Sequence, residues 1–322
     1  MEQGVSSPPL QVAFRHFFPG FSPDDFWAPL LAQACDRAIV LAPTHKADVV
    51  ITSVFEDFKA LWKRRLLSRR TTPGVPRPTR RLKPRAKQVW VTGENIRVPI
   101  DQYDLTLSFD TDSYGGTNLY WPYLLQNLEW HLQEESISYP NMNTRGVPKL
   151  EPSSLVSPRH SKVTERPGFV CAFIGNPEPV RLRAINELRQ FGDVQVFGTA
   201  VDRPIASKLD IAQKYRFVLA FENDIYPGYV TEKPLEAYAC GAIPLWRGMD
   251  SAGLLNPKSL VNAFDFASLA DFAQHVATLD SNPQQLDEIA RQPLLAQTPS
   301  LHHLKSALHR VIAAPTGAPH SD

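Results

Sequence analysis

Between two apolar runs, 217–221 and 242–246, the chain carries Glu222, Asn223, Tyr226, Gly228, Tyr229, Thr231, Glu232 and Lys233. Carboxylate and amide groups can pair with vicinal hydroxyls, and a tyrosine offers both a ring face and a hydroxyl. Lys233 adds a full positive charge that would balance a phosphate. The flanking runs read as strands buried on both faces. The helix between them is predicted to begin near Glu232 and Lys233, with Pro234 tolerated in its first turn and Gly241 ending it. A strand, a polar loop and a helix N-terminus leave amides directed at the loop, which suits an anion. An ordinary βαβ unit with a solvated loop has the same outline, so the residue types have to decide.

Other candidates lie at strand ends. Glu94 directly follows a predicted strand over 88–92, and ligands of open α/β sheets collect at the C-terminal ends of strands. Such a carboxylate is either a surface cap or a base. Asp110, Thr111 and Asp112 form a DTD triplet in which two carboxylates could chelate a divalent metal beside a diphosphate. The competing reading, a turn with capping aspartates, is preferred. Arg181 and Arg183 stand at a helix start after the loop that contains Asn176. His302, His303 and His309 make no metal site, because adjacent histidines point to different faces and no carboxylate or cysteine completes a set.

The elements that must position these groups alternate. Strands are predicted at 10–14, 37–41, 49–51 and 88–92, with a helix over 25–35. The aromatic stretch 121–130 reads as a helix packing on the first sheet. A second alternating half follows: strand 169–174, helix 180–191, strand 194–197, helix 207–214, strand 217–221, then helices over 268–279 and 283–290. Leu301, Leu304, Leu308 and Ile312 recur at helical spacing over 300–313. Between the halves, 136–167 is polar, proline-rich and without periodicity, as a linker would be.

The order FEN, GYVTEK and AxxxGAIPLWRG, running into LNPKSLVNAFDF, resembles the donor-binding motif of the α1,3-fucosyltransferases, which move L-fucose from GDP-fucose to a sugar hydroxyl. GEN followed by proline and YDLTLSFD is similar to the segment bearing that family's general base, and FIGNPEPVR to its SN segment. The resemblance implies an α/β fold of GT-B architecture, two Rossmann-like domains facing a central cleft. Its expected limits are an acceptor-binding domain over 1–140, a linker over 141–167, a GDP-fucose-binding domain over 168–299 and a terminal helix and tail over 300–322.

The resemblance also implies an inverting transfer to the 3-hydroxyl of an N-acetylglucosamine or glucose residue in an oligosaccharide acceptor. Glu94 becomes the base, with Arg181 and Lys233 neutralising the leaving diphosphate. Asn176, Asn223, Tyr229, Val230, Thr231 and Glu232 become donor contacts, and Arg183 is the alternative to Arg181. DTD then falls where the family has a non-metal FD pair, so no divalent metal or other cofactor is expected to be essential. Pro234 departs from the family's aliphatic residue, and Arg247 from its tryptophan. Two other functions stay open at this point: a GT-B enzyme with a different nucleotide sugar, and a catalytically silent glycan-binding protein.

Composition adds boundaries. The 322 residues, 43% hydrophobic, can bury two cores, and 34 basic against 33 acidic residues leave a net charge of +1 that favours no polyanionic partner. The charge is concentrated over 63–87, a basic, proline-interleaved segment readable as a solvated loop or as a peripheral contact with an anionic membrane or lipid-linked glycan. No aromatic interrupts it between Trp62 and Trp90, which speaks against nucleic acid. Three dispersed cysteines, Cys35, Cys171 and Cys240, predict a reducing compartment. The N-terminus shows neither a basic nor a long apolar leader region; since animal members of the family it resembles carry an N-terminal membrane helix, the resemblance implies a bacterial member, expected in the cytoplasm and peripheral at the inner membrane at most.

Overall fold

Strands with no polar face form where a sheet is covered on both sides, and here each half of the chain supplies such runs. In this computed structural model, residues 7–55, 86–97, 102–132 and 146–314 are described. The basic run over 63–85, the start of the expected linker over 141–145 and the tail over 315–322 lie outside the described residues.

The chain divides into two units, one of 1–122, 131–136 and 300–322, the other of 123–130 and 137–299. In the first, β1 (Leu10–Arg15), β2 (Ile39–Leu41), β3 (Val49–Thr52), β4 (Lys87–Val91), β5 (Leu105–Ser108) and β6 (Asn118–Tyr120) pair in the order β2-β1-β3-β4-β5-β6. All these pairings are parallel. The central strands β3 and β5 are buried along their whole length, as their Val/Ile/Leu/Thr content requires. Helix α1 (Trp27–Cys35) buries Trp27, Leu30 and Leu31 and ends at Asp36 in the left-handed conformation, φ 50°.

One expectation about this half needs correction. Within 121–130 only the short α2 (Tyr123–Gln126) is helical, and 123–130 belong to the second unit, where the Leu124 N–H donates to the Val230 carbonyl at 3.4 Å. Pro122 sits just before it, and the Trp130 indole N–H turns back onto the Leu125 carbonyl at 2.8 Å in place of continued helix. The terminal helix, His302–Ala313 (called α8 below), is part of the first unit. Lys305 Nζ donates to Gln33 Oε1 at 2.7 Å and Arg310 to the Gly116 carbonyl at 2.8 Å. His309 Nδ1 lies 3.0 Å from the Ala34 carbonyl, a contact within this packing.

The second unit begins with β7 (Gly168–Phe173), α3 (Pro179–Leu188), β8 (Val194–Phe197), α4 (Lys208–Ala212) and β9 (Tyr215–Phe221). It continues through α5 (Lys233–Ala239), β10 (Ile243–Arg247), β11 (Val261–Asn262), α6 (Leu269–Asp280) and α7 (Pro283–Arg291), before α8 returns to the first unit. The strand order is β11-β10-β9-β7-β8, again wholly parallel. One face of this sheet packs on α3 and α6 through Phe217, Leu219, Leu188 and Phe272. The other presents Cys171, Val218 and Ala220 to Ala212 and Ala237.

The expected linker is, over 146–167, part of this unit's wall. Leu155 and Val163 are fully buried. Arg159 donates to the carbonyls of Ala290 at 2.6 Å, Ala242 at 3.1 Å and Tyr238, its guanidinium stacking 3.7 Å from the Tyr238 ring. Arg166 donates to the carbonyls of Tyr215 and Cys240, both at 3.0 Å. Packing through guanidinium–carbonyl bonds and isolated apolar anchors needs no period, so the sequence pattern was blind to it. Gly241 follows α5 at φ 76°, and a Cβ there would stand 2.3 Å from Arg166 Nη2, so both conformation and space demand glycine. Among the described residues no helix is long and apolar enough to cross a membrane.

Candidate donor site in the second unit

The second sheet reverses its order between β7 and β9, one neighbour chain running outward through β8 and the other through β10. At such a switch point the loops leaving adjacent strands part, and a crevice opens at the strand ends. A cavity of about 310 Å³ lies there. Its wall includes Gly175 and Asn176 after β7, Phe221 and Asn223 after β9, and Glu232 and Lys233 at the start of α5.

The loop is organised by Glu222, a carboxylate 1% exposed. It accepts from the Thr231 N–H at 2.9 Å, the Thr231 hydroxyl at 2.6 Å, the Trp246 indole N–H at 3.2 Å and Lys233 Nζ at 3.3 Å. Four donors offset the desolvation that an isolated buried carboxylate would suffer. The network fixes Lys233, which also donates to Thr231 Oγ1 at 2.9 Å and lies 3.7 Å from Glu232 Oε1. Thr231 thus acts inside the wall. Tyr229, Val230 and Thr231 are 2%, 1% and 2% exposed and are not among the cavity's lining residues.

Arg181 approaches from α3. Its guanidinium donates to the Phe221 carbonyl at 2.5 Å, to Asn223 Oδ1 at 2.5 Å and to the Asn176 carbonyl at 3.3 Å, tying the two loops of the switch point together. Burial lowers its pKa, opposed by Glu222, Glu178, Glu232 and Tyr229. It stays a cation at neutral pH. Arg183, two residues on, is exposed; burial and then the charge of Arg183 lower the pKa of Arg247, whose guanidinium stacks 4.6 Å from the Phe264 ring. Arg181 is the arginine of the cavity wall.

For Glu232, burial pushes the carboxyl up, but Lys233, Lys208, its own main chain and Thr231 together hold it below its usual range. The cavity therefore offers a carboxylate and two fixed cations side by side. Helix α5 has only seven residues, so these side chains rather than a long helix dipole supply the positive field. Lys208 and Glu236 also line it, 2.5 Å apart, and sequence reasoning gave neither a role. Glu222 stood among the loop residues of the sequence reading, but not as the buried acceptor around which the loop is built.

Glu94 belongs to the first unit, just past β4. The Thr92 hydroxyl donates to the Glu94 carbonyl at 2.6 Å and accepts from the Glu94 N–H at 3.0 Å, which pins the turn. Thr92 is 1% exposed and was not anticipated as a positioning residue. In the DTD triplet, Asp112 Oδ1 accepts from the Tyr114 N–H at 2.9 Å, and Asp110 pairs with Arg97 at 2.8 Å, whose guanidinium covers Phe109 at 4.5 Å. The Asp112 contact is that of a turn-capping aspartate.

A model of the glycosyltransferase family 10 (fucosyltransferase) C-terminal domain matches residues 163–289. The alpha-(1,3)-fucosyltransferase FucT of Helicobacter pylori is 28% identical over 233 residues, a match covering 65% of this chain and 48% of that protein. The alpha-(1,3)-fucosyltransferase 4 of Rattus norvegicus is 31% identical over 191 residues, 56% of this chain and 39% of that one. The matches thus span about half or less of the length of these relatives. Among solved structures, an α1,3-fucosyltransferase with GDP-fucose superposes with a TM-score of 0.68 at 18% identity, covering 100% of this chain and 95% of that one. The structure with GDP gives 0.67 at 19%, covering 98% and 93%. The overall fold is shared with both, an α/β fold with parallel sheets. Every charged group lining the cavity lies within residues 163–289, the stretch that matches the glycosyltransferase family 10 (fucosyltransferase) C-terminal domain.

Proposed function

We propose that the chain is an inverting α1,3-fucosyltransferase that moves L-fucose from GDP-β-L-fucose to the 3-hydroxyl of an N-acetylglucosamine or glucose residue in a glycan acceptor. The observation that carries this reading is the cavity at the switch point of the second sheet, where Arg181 and Lys233 stand beside Glu232. Two cations suit a diphosphate and a carboxylate suits vicinal ribose or fucose hydroxyls. Relatives with the same domain in Helicobacter pylori and Rattus norvegicus bear the name alpha-(1,3)-fucosyltransferase, and the two solved proteins of the same fold hold GDP and GDP-fucose.

In this reaction Glu94 takes the proton of the acceptor hydroxyl, and the oxygen attacks the anomeric carbon from the face opposite the nucleotide. The bond to the β-phosphate oxygen breaks as the new one forms, so a β-linked donor gives an α-linked product. Lys233 and Arg181 balance the charge that grows on GDP. With cations already placed there, no divalent metal is required.

The test is a donor and acceptor screen: GDP-fucose against other GDP- and UDP-sugars, each with acceptors ending in N-acetylglucosamine or glucose units. The expected result is turnover with GDP-fucose and a product whose anomeric proton coupling by NMR is that of an α-linkage at O3. Turnover with a UDP-sugar only, or a β-linked product, would overturn it.

A further inference from the structure

Lys208 and Glu236 are the charged lining residues of the cavity that the proposed reaction does not use. Lys208 opens α4 and Glu236 lies on α5, one helical turn beyond Glu232 and on the same side of the helix. Their side chains are only 17% and 13% exposed, and Lys208 Nζ bonds Glu236 Oε2 at 2.5 Å. The same cavity is lined by apolar residues, among them Val147, Ala212, Ala220 and Ala237. It therefore holds Arg181, Glu232 and Lys233 together with a second ammonium–carboxylate pair and an apolar wall.

Resting on the donor reading above, we propose that Lys208 and Glu236 read the base of the nucleotide, and that the base they select is guanine. The Watson–Crick edge of guanine presents one acceptor, O6, followed by two donors, N1–H and the 2-amino group. An ammonium donating to O6 beside a carboxylate accepting from N1–H and the amino group matches that order. Adenine presents a donor where O6 would be, and uracil flanks its single N–H with two carbonyls, one of which would face the carboxylate. A mismatched base sets an amino group against the ammonium or a carbonyl against the carboxylate, the kind of penalty that gives steep discrimination.

A clasp joining α4 to α5 would also pair these residues, but it would not need to face a cavity. Replacing a shielded ion pair by apolar groups is often neutral or stabilising, so stability alone does not require this pair. Burial pushes the Glu236 carboxyl up to about 7 against the opposing pull of Lys208, Glu232 adding to the rise and Lys233 opposing it. Such a carboxylate gains from further donors, which N1–H and the 2-amino group would supply.

The experiment is calorimetry of the full chain with GDP, IDP, XDP, ADP and UDP, for wild type, Glu236→Gln and Lys208→Met. IDP lacks the 2-amino group, and XDP replaces it with a carbonyl. Wild type is expected to bind GDP at least about tenfold more tightly than IDP, and XDP, ADP and UDP more weakly still. Glu236→Gln should bring GDP and IDP within about threefold and raise XDP relative to GDP, because the amide can donate to the new carbonyl. Lys208→Met should weaken GDP and IDP by the same factor, about tenfold, preserving their ratio. Melting curves of each variant show that it is folded. An unchanged GDP-to-IDP ratio in Glu236→Gln would overturn this inference alone and leave a structural clasp. A wild type that prefers UDP would overturn the donor reading with it.

Discussion

The two sheets share the order of their first five strands, with a reversal between the first and third strands of each unit, yet their candidate groups are placed differently. In the second unit the groups converge at the reversal itself, between β7 and β9, and are held by buried side-chain hydrogen bonds centred on Glu222. In the first unit Glu94 stands away from the reversal, after β4, and the turn that carries it is pinned through main-chain groups by Thr92. The contrast separates two kinds of charge. Those of the second unit are part of the wall, so binding and stability should both register their loss. The turn that carries Glu94 is held through its main-chain groups, so loss of the side-chain charge should register in chemistry.

Glu94→Gln tests that separation most severely. The amide keeps the shape, and the Thr92 bonds to the main chain are untouched, but the proton acceptor is gone. Loss of a general base typically costs about 10² to 10⁴ in rate. The expected outcome is kcat lowered at least about a hundredfold with GDP affinity near that of wild type, read from transfer kinetics and calorimetry on one preparation. A near-normal kcat would make Glu94 a strand-end cap and move the search to Asp110 or Asp112.

Lys233→Ala should do the reverse. Removing a charge-assisted contact to a phosphate costs about 1.5 to 3 kcal/mol, or about 10- to 150-fold in GDP affinity. Glu232→Ala should weaken GDP through the ribose hydroxyls, or GDP-fucose alone through the fucose hydroxyls, by about 1 kcal/mol or more. Titration with GDP and GDP-fucose is the measurement, and unchanged affinity in both variants would remove this loop from the donor site. Next in size is Glu222→Gln, which replaces an acceptor of four hydrogen bonds by a group that must turn an N–H toward other donors. A penalty of about 2 kcal/mol should lower the melting temperature by about 4–8 °C. A Glu222→Gln protein as stable as wild type would mean that the buried network is not what holds the wall.

What the sequence conveyed follows the same division. Parallel strands over 194–197 and 217–221, and the helices after 233, 268 and 283, were legible because apolar runs and helical spacing report directly on burial. The cavity residues Asn176, Arg181, Asn223, Glu232 and Lys233 were legible as a motif at a strand–loop–helix junction. Tyr229, Val230 and Thr231 carried the same motif signal although their side chains turn inward, because a contiguous match cannot tell lining from support. Glu222, Thr92 and the Lys208–Glu236 pair were not legible as functional groups: their meaning depends on partners 9, 2 and 28 positions away that only the fold brings together. The arginine clamps of 146–167 escaped for a related reason, since a guanidinium bonding carbonyls up to 131 positions away leaves no local pattern.

The smallest effect belongs to the DTD triplet, and it bears on whether the first unit holds a third kind of charge, one reserved for a metal. Asp112 uses its Oδ1 to accept the Tyr114 N–H at 2.9 Å, and Tyr114 occupies the left-handed region at φ 45°, so the aspartate stabilises a turn that the backbone disfavours. Asp110 is paired with Arg97 at 2.8 Å. Asparagine at position 112 keeps the accepting oxygen and removes only the charge. Its cost should stay within the about 0.5 kcal/mol of an ordinary surface change, which is less than about threefold in transfer rate. Activity should also survive excess EDTA, since the proposed reaction has Arg181 and Lys233 neutralise the leaving group. If EDTA abolished transfer and manganese restored it, or if Asp112→Asn fell to the level of Glu94→Gln, the triplet would be a metal site. The first unit would then share the task of charge neutralisation that the comparison assigns to the second.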